Sequence, residues 1–122
     1  MYERSRIVVL ISGRGSNMSA LLDSTQVHCV ADVVGVVSNQ PTAAGLGIAM
    51  ARSIETAVVN HKDFESRDAF DEALSAALEA LRPDLLVLAG FMRILTPAFT
   101  ARWQGQMLNI HPSLLPAYPG LH

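Results

Sequence analysis

The amino-acid sequence predicts an α/β fold in which helices cover both faces of a parallel β-sheet. Two continuous apolar runs, at residues 7–11 and 85–89, lack the alternation of polar and apolar residues that a half-exposed strand would show. Such runs are expected for strands that are buried on both faces. Segments with helical spacing of apolar residues lie between the predicted strands, and this alternation favours right-handed βαβ units.

Length and composition narrow the class of protein further. The 122 residues are half hydrophobic and 16% charged, which is typical of one globular domain rather than a disordered chain. The net charge of −2 argues against a nucleic-acid-binding surface, and the run at residues 7–11 is too short for a signal-peptide core or a membrane span. The single cysteine, Cys29, cannot form an internal disulfide. We therefore predict a cytoplasmic single-domain protein, residues 1–122, without nucleic-acid or membrane partners.

A glycine-rich loop follows the first predicted strand. It reads Ser-Gly-Arg-Gly-Ser-Asn at residues 12–17, and a helical pattern with Met18, Leu21 and Leu22 on one side begins directly after it. Backbone N–H groups and the helix dipole converge in such a loop and can bind an anion. The loop matches neither the complete dinucleotide fingerprint nor the lysine-containing phosphate loop, so phosphate binding and an ordinary capped turn both remain open.

The middle of the chain supplies two further predicted strands, at residues 31–37 and 56–59, with a helix ending near Arg52 between them. The clearest helix covers residues 66–81, because its apolar residues recur at intervals of three and four and form a stripe that we predict to be core. Arg67 lies in the first turn of this helix, where the helix dipole disfavours a cation. The arginine either has a role in binding or, as the sequence alone favours, is solvated and pairs with a nearby acid.

Two unusual segments lie in the last third of the chain. The predicted strand at residues 85–89 leads into Gly-Phe-Met-Arg-Ile-Leu at residues 90–95. After it, Thr96 and Pro97 have the pattern of a helix N-cap followed by proline at the first helical position.

The second unusual segment begins with a predicted strand at residues 107–110. Because side chains alternate along a strand, Asn109 and His111 should lie on the same face. Prolines at positions 112, 116 and 119 cannot continue a sheet or a helix, so a stiff loop should follow His111.

The carboxyl ends of parallel strands share one edge of a sheet, where ligands of such folds bind. We therefore expect residues 13–17, 91–95 and 109–111 to converge at that edge. The four histidines lack the spacing of a metal site, and no cluster of hard ligands accompanies them, so no metal is predicted. His28 and His61 are interpreted as surface residues.

Three segments are specific enough to indicate a family. They are residues 12–17, residues 89–95, which read Ala-Gly-Phe-Met-Arg-Ile-Leu, and residues 109–120, which contain Asn-Ile-His-Pro-Ser-Leu-Leu-Pro and Tyr-Pro-Gly. In this order they resemble the phosphoribosylglycinamide formyltransferases, folate-dependent enzymes of purine synthesis. Methionyl-tRNA formyltransferases and formyltetrahydrofolate deformylases share a similar Asn-x-His segment, but the glycine loop and the proline-rich run favour the first family.

The resemblance implies a Rossmann-like formyltransferase fold and two small-molecule substrates. The co-substrate would be 10-formyltetrahydrofolate, and the formyl group would pass to the amine of phosphoribosylglycinamide in IMP biosynthesis. The residues that match the phosphate-binding loop of the family are Gly15, Ser16, Asn17, Met18 and Ser19. The residues that match folate-binding positions are Arg67, Met92, Arg93, Ile94, Leu95 and Asn109. His111 matches the catalytic imidazole, with Asn109 beside it, and Arg67 becomes a candidate partner for the glutamate carboxylate of the folate.

These residue types suit the chemistry that the resemblance implies. Attack of the amine on the formyl carbon gives a tetrahedral intermediate with an anionic oxygen, to which a protonated imidazole and a neutral amide can donate hydrogen bonds. In the family an aspartate supports the imidazole from a segment beyond position 122. The resemblance therefore implies a formyltransferase domain whose C-terminal part is missing.

An uncovered sheet edge in such a chain would favour association, for example as a homodimer. Two alternatives to the glycinamide ribonucleotide enzyme remain. One is another formyltetrahydrofolate-using enzyme, either the tRNA formyltransferase or the deformylase. The other is an inactive nucleotide-binding module that has kept the fold and the phosphate loop.

Overall fold

The computed structural model describes residues 5–13, 18–23, 31–92 and 95–110. Its centre is a five-stranded sheet in the order β3-β2-β1-β4-β5, and every neighbouring pair of strands is parallel. The strands are β1 (Ser5–Ile11), β2 (Ala31–Ser38), β3 (Glu55–Val58), β4 (Leu85–Leu88) and β5 (Met107–Asn109). The predicted parallel α/β fold is therefore confirmed.

Helices lie on both faces of this sheet, as the sequence predicts. Residues 18–23 are helical and are called α1 here. The other helices are α2 (Ala44–Ala51), α3 (Arg67–Ala80) and α4 (Pro97–Arg102), and a short 3-10 helix covers His61–Asp63. In the part of the chain that is described, no helix has the length and apolar character needed to cross a membrane.

The side chains of β1 alternate between two hydrophobic cores. Ile7, Val9 and Ile11 belong to the core on one face, Val8 and Leu10 to the core on the other, and all five are buried. The first core also contains Met18, Leu22, Val36, Leu46, Ala49 and Val87. The second core also contains Val37, Phe70, Leu74, Leu78, Leu86, Phe99 and Trp103. Burial of both faces explains why the run at residues 7–11 shows no polar alternation.

The chain adds strands first on one side of β1 and then on the other, so the order of strand addition switches sides between β1 and β4. The chain adds β2 and then β3 on one side of β1, and afterwards returns to add β4 and β5 on the other side. Helices connecting the strands therefore leave the carboxyl edge in opposite directions at β1 and β4. This arrangement opens a crevice between the loops that follow these two strands, where ligands of open α/β sheets bind.

Several ends of the elements differ from the predictions by one residue, and β1 begins two residues earlier, at Ser5 rather than at residue 7. β3 covers Glu55–Val58 rather than residues 56–59, and β4 ends at Leu88 rather than at position 89. Ser66 is the N-cap of α3, because its Oγ accepts a hydrogen bond from Ala69 N at 3.0 Å. Thr96 caps α4 in the same way, accepting from Phe99 N at 3.1 Å, so the predicted cap is confirmed.

Arg6 fixes the opposite, amino edge of the sheet. Its Nε donates to the Arg82 carbonyl oxygen at 2.9 Å and its Nη2 to the Leu81 carbonyl oxygen at 2.7 Å. The Arg6 backbone N–H donates to Asp84 Oδ2 at 2.7 Å. Since Leu81 is the C-cap of α3, the arginine satisfies carbonyls that the end of a helix leaves free and attaches that end to β1.

Candidate active site

The Ser12 hydroxyl joins three loops at the carboxyl edge of the sheet. Ser12 directly follows β1; its Oγ accepts a hydrogen bond from Met92 N at 2.7 Å and donates to Asn39 Oδ1 at 2.6 Å. Both Ser12 and Asn39 are buried. Ile110 N, at the end of β5, donates to the Leu88 carbonyl oxygen at 3.0 Å. The described parts of the loops after β1, β4 and β5 therefore meet at one edge, as predicted from the strand pattern.

The predicted phosphate-binding loop is described only at its two ends. Gly15, Ser16 and Asn17 lie outside the described residues. At the start of the loop, the Gly13 carbonyl oxygen accepts from Gly45 N, in the first turn of α2, at 3.1 Å. These contacts fix the entrance to the loop. Of the two remaining predicted residues, Met18 has a fully buried side chain and Ser19 is half-buried, so Met18 can offer a ligand only its backbone.

Among the predicted folate-binding residues, Met92 and Leu95 frame a segment whose middle residues, Arg93 and Ile94, lie outside the described part of the chain. The Met92 side chain is 80% exposed, although its backbone N–H is held by Ser12. Leu95 is half-buried and packs against the second core. The segment is therefore anchored at both ends, with an apolar side chain left free at its beginning.

Arg67 and Asn109 are both exposed. No ion pair is observed between Arg67 and any acid in the described part of the structure, so the interpretation that it pairs with a nearby acid is not supported there. Asn109 is the last residue of β5 and lies opposite Leu88 of β4. Its predicted partner, His111, lies outside the described residues.

His61 is not the free surface residue that the sequence suggested. It is half-buried, and its Nδ1 lies 3.1 Å from the Asn39 carbonyl oxygen. Because a carbonyl oxygen can only accept, Nδ1 must carry a proton in this contact. The other histidine interpreted as a surface residue, His28, lies outside the described residues.

Asp71 is a residue of the site that the sequence analysis missed. It lies one turn after Arg67 in α3, is only 4% exposed, and accepts a hydrogen bond from Thr96 N through Oδ2 at 2.7 Å. Thr96 directly follows Leu95, so this carboxylate attaches the end of the predicted folate segment to the helix that carries Arg67. The signal was a carboxylate within an apolar stripe, since a buried charge requires hydrogen-bonding partners.

Replacing Asp71 by alanine is expected to lower the free energy of unfolding by about 1–3 kcal/mol, because the buried Thr96 N–H would lose its acceptor. Asp71→Asn retains an acceptor oxygen at this place and should lose less. Urea denaturation of both variants of the full-length protein checks the prediction. Equal losses would show that the hydrogen bond to Thr96 is not the cause.

A cleft of about 620 Å³ lies between α3 and α4, and Asp71 and Thr96 are among the residues that line it. Its lining includes the acidic residues Asp68, Asp71, Glu72 and Glu79, with Arg102 paired to Glu79. This excess of negative charge repels phosphates and carboxylates. The free Oδ1 of Asp71, which has no hydrogen-bond partner among the described residues, has almost no accessible surface. The cleft is therefore a poor site for an anionic substrate.

Comparison with known proteins shows where this arrangement belongs. Residues 5–122 match the model of the formyl transferase family. The chain is a member of this family. It is 49% identical over 117 residues to the phosphoribosylglycinamide formyltransferase of Escherichia coli, covering 95% of the chain and 55% of that enzyme. It is 52% identical over 124 residues to the trifunctional purine biosynthetic protein adenosine-3 of Drosophila melanogaster, covering 98% of the chain and 9% of that protein.

Solved structures of formyl transferases have the same fold. The phosphoribosylglycinamide formyltransferase of Coxiella burnetii superposes with a TM-score of 0.87 at 44% identity, covering 98% of the chain and 56% of that structure. A formyltetrahydrofolate deformylase from Pseudomonas putida superposes with a TM-score of 0.78 at 26% identity, covering 89% and 38%. The chain thus spans about half the length of the single-enzyme relatives. Each loop that meets at the carboxyl edge lies within the range that matches the formyl transferase family.

Proposed function

We propose that the full-length protein transfers a formyl group from 10-formyltetrahydrofolate to the amine of phosphoribosylglycinamide, a step in purine nucleotide synthesis. The observation that carries the proposal is the hydrogen bond between Ser12 and Met92. It joins the start of the glycine loop to the start of the predicted folate segment. Two loops with different predicted ligands are thereby held next to each other at the crevice between β1 and β4.

In this proposal the nucleotide phosphate binds in the glycine loop after β1. Backbone N–H groups of the loop and of the beginning of α1 are suitable donors to a phosphate. The residues proposed to form this site are Gly15, Ser16, Asn17, Met18 and Ser19. The buried side chain of Met18 supports a role for its backbone alone.

The folate is proposed to bind along the segment after β4. The exposed Met92 side chain offers an apolar surface for the planar pteridine, and main-chain groups of the segment offer donors and acceptors for its polar edge. Arg67, which is exposed and forms no ion pair with any described residue, is proposed to bind the glutamate carboxylate of the folate. The complete proposed set is Arg67, Met92, Arg93, Ile94, Leu95 and Asn109.

The catalytic step is assigned to His111 and Asn109. The amine of the nucleotide attacks the formyl carbon, and the carbonyl oxygen takes up the negative charge of the tetrahedral intermediate. The protonated imidazole of His111 and the amide of Asn109 donate hydrogen bonds to that oxygen. When the bond to the folate nitrogen breaks, the imidazole passes its proton to this leaving nitrogen and takes up the proton that the attacking amine loses. The products are the formylated amine, which is now a formamide, and tetrahydrofolate.

Sequence similarity favours this acceptor over the alternatives. The chain is 31–49% identical to the phosphoribosylglycinamide formyltransferases compared and 26% identical to the deformylase. The predictions of a cytoplasmic location, of a homodimer and of a missing C-terminal segment with an aspartate stay predictions. The described residues contain no group of three or more His, Cys, Asp or Glu side chains placed to hold a metal ion.

The test is an acceptor competition with the full-length protein. The absorbance of a formylated folate is followed after addition of phosphoribosylglycinamide, of methionyl-tRNA, or of buffer alone, where water is the only acceptor. We expect deformylation of the folate only with phosphoribosylglycinamide, in equal molar amount to formylated nucleotide. Turnover with buffer alone would instead indicate a deformylase. Binding of the nucleotide in the absence of folate, together with no formyl transfer to any acceptor, would indicate the inactive nucleotide-binding module.

A further inference from the structure

The hydrogen bonds of Ser12 differ from those of an ordinary buried serine at a strand end. Ser38, the last residue of β2, is fully buried, and among the described residues its hydroxyl bonds only with Gln40, two residues away in the same loop. Ser12 bonds with Asn39 and Met92, which are 27 and 80 residues away. Both of its bonds therefore connect different loops, whereas those of Ser38 stabilise one.

One hydroxyl group makes these two connections, and its geometry leaves little freedom. The single hydroxyl hydrogen is donated to Asn39 Oδ1, so an oxygen lone pair accepts from Met92 N. The distances of 2.6 and 2.7 Å are at the short end for hydrogen bonds of these types, and such bonds weaken steeply when distance and angle change. A small displacement of Ser12 would therefore weaken its bond to the Met92 backbone.

The position of Ser12 along the chain relates these bonds to both proposed ligands. Ser12 is the first residue of the glycine loop, and Met92 is the first residue after β4 that is proposed to contact the folate. A phosphate bound in the glycine loop would restrain the adjacent Ser12, and the restrained hydroxyl would in turn hold the Met92 N–H. Among the described residues of these two loops, no other hydrogen bond joins one loop directly to the other.

We propose that Ser12 is a positioning residue that couples nucleotide binding to folate binding. The inference rests on the proposed function, since it requires that the two loops bind these two ligands. Each ligand stabilises the loop arrangement that contains the hydrogen bond from Met92 to Ser12, so binding of one increases the affinity for the other. By thermodynamic linkage, the factor must be the same in both directions.

The test uses calorimetry with the full-length protein to measure the coupling factor, which is the factor by which one bound ligand increases the affinity for the other. Phosphoribosylglycinamide is titrated with and without a saturating folate analogue that lacks the formyl group, so that no transfer can occur, and the reverse titration checks reciprocity. We expect the folate analogue to increase nucleotide affinity about fivefold or more in the unaltered protein. In Ser12→Ala this factor should fall to about one. Ser12→Thr retains the hydroxyl, and its coupling factor should be that of the unaltered protein.

Ser38→Ala is the matched control, because it also removes a buried serine hydroxyl at the same edge of the sheet. Its coupling factor should equal that of the unaltered protein. If Ser12→Ala does not fold, Ser12→Cys provides the same comparison, since a thiol is a weak donor of similar size.

Three results would overturn the inference: a factor of one in the unaltered protein, an unchanged factor in Ser12→Ala, or an equal loss in Ser38→Ala. In each case formyl transfer by the unaltered protein would leave the proposed function intact. Absence of binding of both ligands to the unaltered protein would instead overturn the proposed function, and the inference with it.

Discussion

Replacing His111 by alanine is expected to lower kcat for formyl transfer by about 10²–10⁴-fold, the usual contribution of a positioned acid–base group. The alanine variant can neither donate to the anionic oxygen of the tetrahedral intermediate nor protonate the leaving nitrogen. The affinity for phosphoribosylglycinamide should change little, because the phosphate is assigned to the glycine loop. Steady-state kinetics and nucleotide titration of the full-length protein measure the two quantities separately.

His61→Ala is the control for the His111 variant. His61 is a half-buried histidine near the same edge of the sheet, and its ring contacts a backbone carbonyl rather than any residue assigned to catalysis. We expect its kcat to remain within about threefold of the unaltered protein, since no transition-state contact is lost. A fall in kcat of the same size in both variants, or a normal kcat in His111→Ala, would contradict the assignment of the catalytic imidazole.

Replacing Phe70 by alanine is expected to lower the free energy of unfolding by about 3–5 kcal/mol. The Phe70 side chain is 1% exposed and lies in the second core, where its ring meets that of Phe64 edge-on at a centroid distance of 5.9 Å. Alanine removes the apolar contacts of a whole ring and leaves a cavity under α3. Urea denaturation of the full-length protein, with the midpoint and slope compared, measures the loss.

Phe64→Ala is the matched control for this prediction. It removes the same ring contact, but Phe64 is half-buried and precedes α3, so a smaller cavity remains and the loss should be clearly smaller. Because Phe70 lies between Arg67 and Asp71 in the sequence of α3, Phe70→Ala should also weaken folate binding by those molecules that remain folded. A loss in Phe70→Ala no larger than in Phe64→Ala would show that α3 packs differently against the sheet.

The parts of the fold that could be predicted depend on local pattern. The run at residues 7–11 is continuous because both faces of β1 are buried, and the caps at Ser66 and Thr96 depend on residues within three positions. Such features depend on residues that are close together in the sequence. The placement of the ligand edge also followed, since alternating strands and helices leave few possible topologies.

The contacts that organise the candidate site could not be predicted in this way. The Ser12 hydroxyl and the Met92 N–H are 80 residues apart, and nothing in either segment specifies the other. Asp71 was overlooked because it lies beside the apolar stripe of α3, which was predicted to be core. The periodicity of a helix indicates which of its faces is buried, but not which polar group of another segment packs against that face. The position of Thr96 above that face is a property of the folded chain. The roles of the site residues came from the family resemblance and await the measurements described above.

The contacts of Arg6 have a mechanical consequence for α3. They attach the C-terminal end of α3 to the sheet, whereas Arg67 lies at the other end of this 14-residue helix, about 21 Å away. The end that carries Arg67 is held as well, because Asp71, one turn further along α3, accepts a hydrogen bond from Thr96 N and Phe70 is buried in the second core. With both ends attached, the backbone of α3 keeps Arg67 at a fixed position relative to the sheet.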